Sequence, residues 1–313
     1  MKRILLYFLV FFIGHTAFAD DYMWWNIKHN WNQVSAWETY MQLSSRYMGP
    51  NGMPVPEITN GSITKYSFLE AGLAGHIADG DKTGNIVLNS IVRAGNRAAI
   101  GLYFVPFEMY KMDTNTARNI RNTRDYDGKG HAVGDVYITG YFQILKQKVT
   151  GRGIDALVTF GTKTASGNNL EAARYTDCPG YYFHLSFGKT KTFTGKYFTS
   201  VKYYTMLGAY MWQTYRSDYH QDDSFLWGIG TTLENKRFII DEQVGGYIGY
   251  FKNGDQPIVN RLSVTTNRHK LFNYKLLFQC GINDMPYKSL VASSMLNLDM
   301  IHAKLKKRLD GSK

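Results

Sequence analysis

The chain has 313 residues, of which 19% are charged and 15% aromatic, and a formal net charge of +11. That length is ample for one large domain or one mid-sized barrel. After residue 19 no apolar run approaches the roughly 20 residues that a membrane helix needs, which excludes a helical membrane protein and leaves β-structure open.

In chain order, residues 1–19 read as a cleaved secretory signal. Lys2 and Arg3 supply the positive start, Ile4 to Ile13 the apolar run, and Ala17-Phe18-Ala19 the small-residue cleavage pattern. Without Lys2 and Arg3 the exported chain carries a formal charge of +9, an excess that favours anionic partners. Lipopolysaccharide phosphates, acidic sugars and small anionic solutes fit that charge. Nucleic acid does not fit an exported chain that carries no nucleic-acid module. Cys178 and Cys280 would sit in an oxidising compartment and are able to form one disulfide.

Residues 20–61 are not strand-like. Trp31, Val34, Trp37, Tyr40, Met41 and Leu43 recur at three- and four-residue spacing, predicting a short amphipathic helix near Trp31 to Ser45. The proline-rich run Gly49 to Glu57 ends it, because proline neither continues a helix nor pairs centrally in a sheet. This segment is expected to plug a lumen, to cap its periplasmic mouth or to lie at a membrane interface.

From residue 62 to 302 the period changes to two. In Ser224 to Phe251, Phe225, Trp227 and Ile229 alternate with Ser224, Gly228 and Gly230. After the break at Asn235-Lys236, Phe238, Ile240 and Val244 alternate with Asp241, Gln243 and Gly245. The same pattern sets Val136, Ile138 and Phe142 against Asp135, Thr139 and Gln143, and Phe272, Tyr274 and Leu276 against Asn273 and Lys275. One face is oily and rich in aromatics; the other is small or polar.

About twelve such strands are expected, near 62–78, 85–93, 97–111, 133–148, 154–165, 180–192, 196–216, 224–234, 237–251, 257–268, 270–283 and 288–300. Several links after even-numbered strands are short, whereas those after the third, fifth and seventh are long. The fold class this predicts is all-β: an antiparallel up-and-down transmembrane barrel whose even strand count returns both termini to the periplasm. Residues 303–313 form a basic tail beyond the last strand, unlike barrels that end on the aromatic residue used in insertion.

The signal, the alternating strands and the long and short connections together resemble Gram-negative outer-membrane β-barrel proteins. The stretch Lys163 to Gly167 with Glu171 to Phe183 also resembles uncharacterised outer-membrane proteins of Bacteroidetes-type bacteria. The resemblance implies location in the cell outer membrane, contact with outer-membrane lipid and lipopolysaccharide, and handling by the outer-membrane insertion machinery. It brings no assigned chemistry.

On this phase the inward set includes Lys163, Lys202, Arg261 and Lys275, with Asp135, Asp155 and Asp241 as counterweights. The expected function is a passive pore or binding barrel for small anionic solutes, with mutual neutralisation in a blocked lumen as the plainer role for these charges. His184 and Ser186 share one face of a strand and are the candidates for a barrel-borne lipid esterase or deacylase. Their spacing resembles outer-membrane phospholipases and lipid A deacylases, but Phe187-Gly188 stands where those enzymes carry Asn-Gly. A hydrogen-bonding role in the lumen is the plainer alternative, and a secreted soluble glycan-binding β-protein is the third reading. Asp218, His220, Asp222 and Asp223 lack the ordered spacing of a calcium loop, and no metal or cofactor is expected.

Overall fold

A computed structural model describes residues 22–310 apart from 196, 268 and 269. The secretory signal expected at residues 1–19 and the turn expected around His269 lie outside the described residues. Contacts divide the chain into two units, residues 1–35 and 36–313.

In the first unit, helix α1 spans Met23–His29 and stops at Asn30, which adopts the left-handed conformation that Asn tolerates. The helix expected near 31–45 does not form. The Asn32 side chain accepts the backbone N–H groups of Val34 and Ser35, and Gln33 has φ of 62°, so the chain turns there. Only a short 3-10 turn, Trp37–Tyr40, follows in the second unit.

The second unit is built on strands β1 (Phe68–Ala78), β2 (Asp81–Arg93), β3 (Ala98–Met112), β4 (Lys129–Ala132), β5 (Tyr137–Leu145), β6 (Asp155–Lys163) and β7 (Gly180–Thr192). It continues through β8 (Ser200–Gln213), β9 (Gln221–Glu234), β10 (Phe238–Ile248), β11 (Ile258–Thr266), β12 (Phe272–Asn283) and β13 (Lys288–Asn297). All pairings are antiparallel, and β1 joins β13 from Phe68↔Asn297 to Ile77↔Lys288, so the sheet closes. The result is a twelve-stranded barrel with β4 as an extra short strand on the far part of β3.

Closure explains the composition of the strands. In a bilayer every backbone polar group must be paired, and a closed sheet leaves no edge. Side chains then alternate between two solvents. Leu73, Ile77, Ile100, Phe142, Phe160, Phe183, Ile229 and Leu276 are all exposed on the outside, while Glu70, Glu108, Thr159, Lys163, His184 and Asn273 are buried inside.

The strands match the period-two reading closely, with three departures. The first strand begins at Phe68 rather than near residue 62. Strand β4 forms within a stretch expected as loop, and β13 gives way after Asn297 to helix α2, Leu298–Asp310. The long connections 113–136 and 164–179 lie at one end, here the loop end. The β1–β2 turn at that same end is only residues 79–80, so the alternation of loop lengths is incomplete.

Residues 41–63 run inside the barrel. At the loop end the Gly49 N–H donates to the Ala173 carbonyl at 2.8 Å, and Arg46 pairs with Asp284 at 3.4 Å. At the other end Lys65 pairs with Glu234, the last residue of β9. Between them Met48, Met53, Val55 and Ile58 pack against the inward Tyr182, Tyr204, Met206, Tyr210, Leu226 and Tyr247.

Gly228 and Gly245 face each other in register on β9 and β10. A Cβ on Gly228 would fall 2.7 Å from Ile58 Cγ2, and one on Gly245 would fall 2.5 Å from Ile58 Cδ1. The two glycines thus form a notch that the Ile58 side chain fills. Gly228→Ala should destabilise the folded barrel, and Ile58→Ala should cost about 2–4 kcal/mol through the lost packing. The double variant should lose less than the two costs added, because the added methyl group then has room. Urea titrations of the four proteins in detergent would measure the coupling, and strict additivity would contradict the notch.

Candidate functional site

The lumen is the candidate site, and it has three levels. Nearest the loop end is a buried ionic network. Arg174, from the 164–179 loop, donates through Nη1 to Asp81 at 2.8 Å, through Nη2 to Thr83 at 2.8 Å and through Nε to Glu108 at 2.8 Å. Arg121, from the 113–136 loop, reaches the same Asp81 oxygen at 2.8 Å and the Tyr287 hydroxyl at 2.6 Å. Tyr175 donates to Glu108 at 2.9 Å, and the Asn51 amide of the inner segment donates to that same oxygen at 2.7 Å. His76 bridges Ser289 and Asn85, each at 2.7 Å.

Two guanidinium groups thus meet two carboxylates where almost no surface reaches water. Burial alone would disfavour charge on Arg174, but Glu108 and Asp81 outweigh it and hold the guanidinium above its ordinary range. Removing one member of a buried ionic set strands the others, which typically costs about 3–5 kcal/mol. Arg174→Met should therefore lower stability by that order, a loss readable as a shifted urea midpoint. A change under about 1 kcal/mol would mean that the carboxylates find other partners.

The middle level is aromatic. Tyr210 lies 5.0 Å from Trp212 and 5.3 Å from Tyr247, ring centre to ring centre, over the apolar side chains of the inner segment. His184 stacks on Tyr182 at 6.0 Å, and neither of its ring nitrogens finds a partner among the described residues.

The lower level ties the inner segment to the wall. Thr59 Oγ1 donates to Ser186 Oγ at 2.7 Å, and the Gly61 N–H donates to that same oxygen at 3.2 Å. Ser62 and Lys202 both donate to Asp155 Oδ2, at 2.9 and 2.8 Å. Gln143 accepts the Ile63 N–H at 3.1 Å and donates to the Gly61 carbonyl at 2.8 Å.

Every inward residue singled out in the sequence faces the lumen, and none of the four cations stands free. Lys163 is fully buried, 2.9 Å from Asp135, and donates to Thr176 and to the Cys178 carbonyl, which fixes the 164–179 loop. Arg261 donates to the Val55 and Pro56 carbonyls at 2.6 and 3.0 Å and to Gln279 at 2.7 Å. Lys275 lies 3.7 Å from Glu70. Asp241 accepts from Tyr204 at 2.8 Å and Thr232 at 2.6 Å.

His184 and Ser186 do share the inner face, but they are not brought together as a base and nucleophile. The Ser186 hydroxyl is engaged by the inner segment, and the imidazole does not reach it. Asp222 and Asp223 point to opposite faces of β9, and Asp218 is held by Arg216 at 2.7 Å, so the acidic loop does not converge. Among the described residues no group of three metal-ligating side chains gathers. Sequence reasoning missed Arg174, Arg121 and Asn51. Asp81 and Glu108 carried a usable signal, since each is a charge on the inner phase of an alternating strand.

Both cysteines are free thiols. Burial pushes the Cys178 thiol up to about 11, against the opposing pull of the Tyr215 hydroxyl and the Lys163 ammonium. At pH 8 Cys178 is therefore protonated as well as enclosed, and the half-buried Cys280 should take up a maleimide first. Mass spectrometry of partly labelled folded protein would check the order, and preferential labelling of Cys178 would contradict this account of the loop.

A closed antiparallel sheet, apolar outside and polar inside, is the architecture of outer-membrane β-barrel proteins. Among solved structures the chain is similar to a KdgM porin, with a TM-score of 0.42 and 8% identity over 74% of this chain and 98% of that one. It is also similar to the COG4313 outer membrane channel from Pseudomonas putida F1, with a TM-score of 0.48 and 9% identity over 78% and 99% of the two chains. An anion-selective porin from Comamonas acidovorans aligns with a TM-score of 0.33 and 10% identity over 74% and 98%. No protein-family model and no curated protein sequence matches the chain.

Proposed function

We propose that the protein is a porin-like barrel of the outer membrane, held closed at rest by its own residues 41–63, which passes small solutes when that segment yields. The observation that carries this reading is the set of bonds between the inner segment and side chains of the barrel wall. Arg261, Ser186, Gln143 and Glu108 all spend hydrogen-bonding capacity on residues 51–63. Barrels of about eight strands are filled by their own side chains, and those of about sixteen leave a channel. Twelve strands enclose a space between those limits, one that a single chain segment can fill.

Preference for anions follows from the same contacts. Displacing residues 55 and 56 removes the carbonyl acceptors of Arg261 and leaves a guanidinium in the lumen, whereas Lys163 keeps Asp135 of the 113–136 connection and Lys275 keeps Glu70 of β1. The exposed outer belt of leucine, isoleucine and phenylalanine argues for a bilayer rather than for a soluble glycan-binding protein.

Planar-bilayer recording of detergent-folded protein under a salt gradient tests the reading. The native chain should be silent for most of the record. Replacing Ile58 and Thr59 by glycine, which loosens the segment without touching the wall, should give frequent openings with a reversal potential on the anion side. Arg261→Gln in that background should abolish the shift. Steady openings of the native chain would refute closure at rest; openings without anion preference would refute the role of Arg261.

A further inference from the structure

The outer surface carries a second feature, unrelated to the lumen. At the loop end Lys82 on β2 is directly opposite Lys111 on β3, and Lys111 is directly opposite Lys129 on β4. Across β1, Ile77 is the register partner of both Lys82 and Lys288 of β13. All four lysines are exposed on the outer phase of their strands, and among the described residues none of their side chains has a hydrogen bond or an ion pair. Like charges directly opposite on neighbouring strands destabilise a sheet unless something neutralises them. Strands are about 4.8 Å apart, so the row extends about 19 Å around the barrel. Asp79, in the turn above Ile77, is an exposed carboxylate on this side.

The next level toward the barrel centre is different in kind. Met109, Gly84, Gly75, Leu290 and Phe278 follow one another in register across five strands. Two glycines side by side leave a trough between walls of Met109 and Phe107 on one flank and Leu290 and Phe278 on the other, with a volume of about 830 Å³. A Cβ at Gly75 would meet nothing within 4 Å. These glycines are therefore not required by packing within the barrel, in contrast to Gly228. Below them a shallower apolar depression over Leu73, Ile86, Tyr274 and Ala292 continues into the belt that faces the bilayer.

A groove that is cationic at the membrane edge and apolar below it matches an amphiphile with an anionic head and hydrocarbon chains. We infer that this groove binds one molecule of lipopolysaccharide, its phosphates on Lys82, Lys111, Lys129 and Lys288 and an acyl chain over Gly75 and Gly84. The width of the row favours a head group with more than one phosphate, since a single phosphate spans one or two of these ammonium groups. The long loops mark the outward end in barrels of this class, so the groove faces the outer leaflet. The inference rests on the outer-membrane reading above and is independent of closure by residues 41–63.

Native mass spectrometry of the full folded chain in detergent, titrated with purified lipopolysaccharide, tests the site. Heat-dependent gel migration first establishes that each protein is folded. A native chain that never folds in detergent would overturn the outer-membrane reading itself, whereas a folded chain that takes up no lipopolysaccharide overturns the groove alone. The native chain should retain one lipopolysaccharide. Lys82→Gln with Lys111→Gln and Lys288→Gln should weaken retention by about tenfold or more, as expected for the loss of charge-assisted contacts. Lipopolysaccharide stripped of phosphate should bind the native chain no better than the intact lipid binds that variant. Gly75→Leu, which fills the trough and leaves every charge in place, should also reduce retention. Equal retention by the native chain and both variants would overturn the proposal. So would equally tight, equally lysine-dependent binding of phosphatidylglycerol, or a dimer of the chain that occludes the groove.

Discussion

The pairing of β1 with β13 is the constraint on which everything else depends. Once the sheet closes, each strand residue faces either lipid or lumen, and a period of two becomes a partition between two media. The lipid side accepts any mixture of aliphatic and aromatic residues. The lumen is more demanding, because a polar group enclosed there must find a partner within the protein. Residues 41–63 meet part of that demand by offering carbonyls to Arg261 and amides and hydroxyls to Gln143, Ser186 and Asp155, and Ile58 fills the glycine notch, while the ring nitrogens of His184 stay without a partner among the described residues. Wall and filling are complementary in shape as well as in polarity.

The ionic network under the loop end does a related task by different means. Arg174 and Arg121 arrive from loops and are neutralised by Asp81 and Glu108 on the wall. Buried ion pairs are weak contributors to stability when set against apolar packing, but they discriminate sharply between one arrangement and its alternatives. Here they fix two long loops over the lumen in one position. Lys163 and Asp135 repeat the device for the stretch around Cys178.

What could be read from the sequence follows from whether a signal was periodic. Strands such as β6, β7 and β12 were visible because Phe160, Phe183 and Phe278 alternate with polar neighbours over a whole element. The inward phase of His184, Lys163 and Asp241 came with them. Strand β4 is only four residues long and borrows its conformation from β3, so it had no period of its own to show. The aromatic spacing between Trp31 and Leu43 imitated a helix, while Asn32 and the backbone at Gln33 set a turn. Partners such as Arg174 and Asp81, or Asn51 and Glu108, are brought together only by closure of the barrel, and no local pattern announces them.

The direction of residues 41–67 through the barrel has a consequence for assembly. The segment enters beside Ala173 and Asp284 and leaves beside Glu234, so the chain passes from one mouth to the other before the first strand begins. It is threaded, not folded back as a hairpin, and a closed cylinder cannot acquire a threaded chain sideways. Either the last strand seals against the first with the segment already enclosed, or the N-terminal arm is drawn lengthwise through a finished cylinder. In both routes the seam between β1 and β13 and the filling of the lumen are one coupled event, and residue 36 emerges on the side of the long loops, opposite the mouth from which β1 starts.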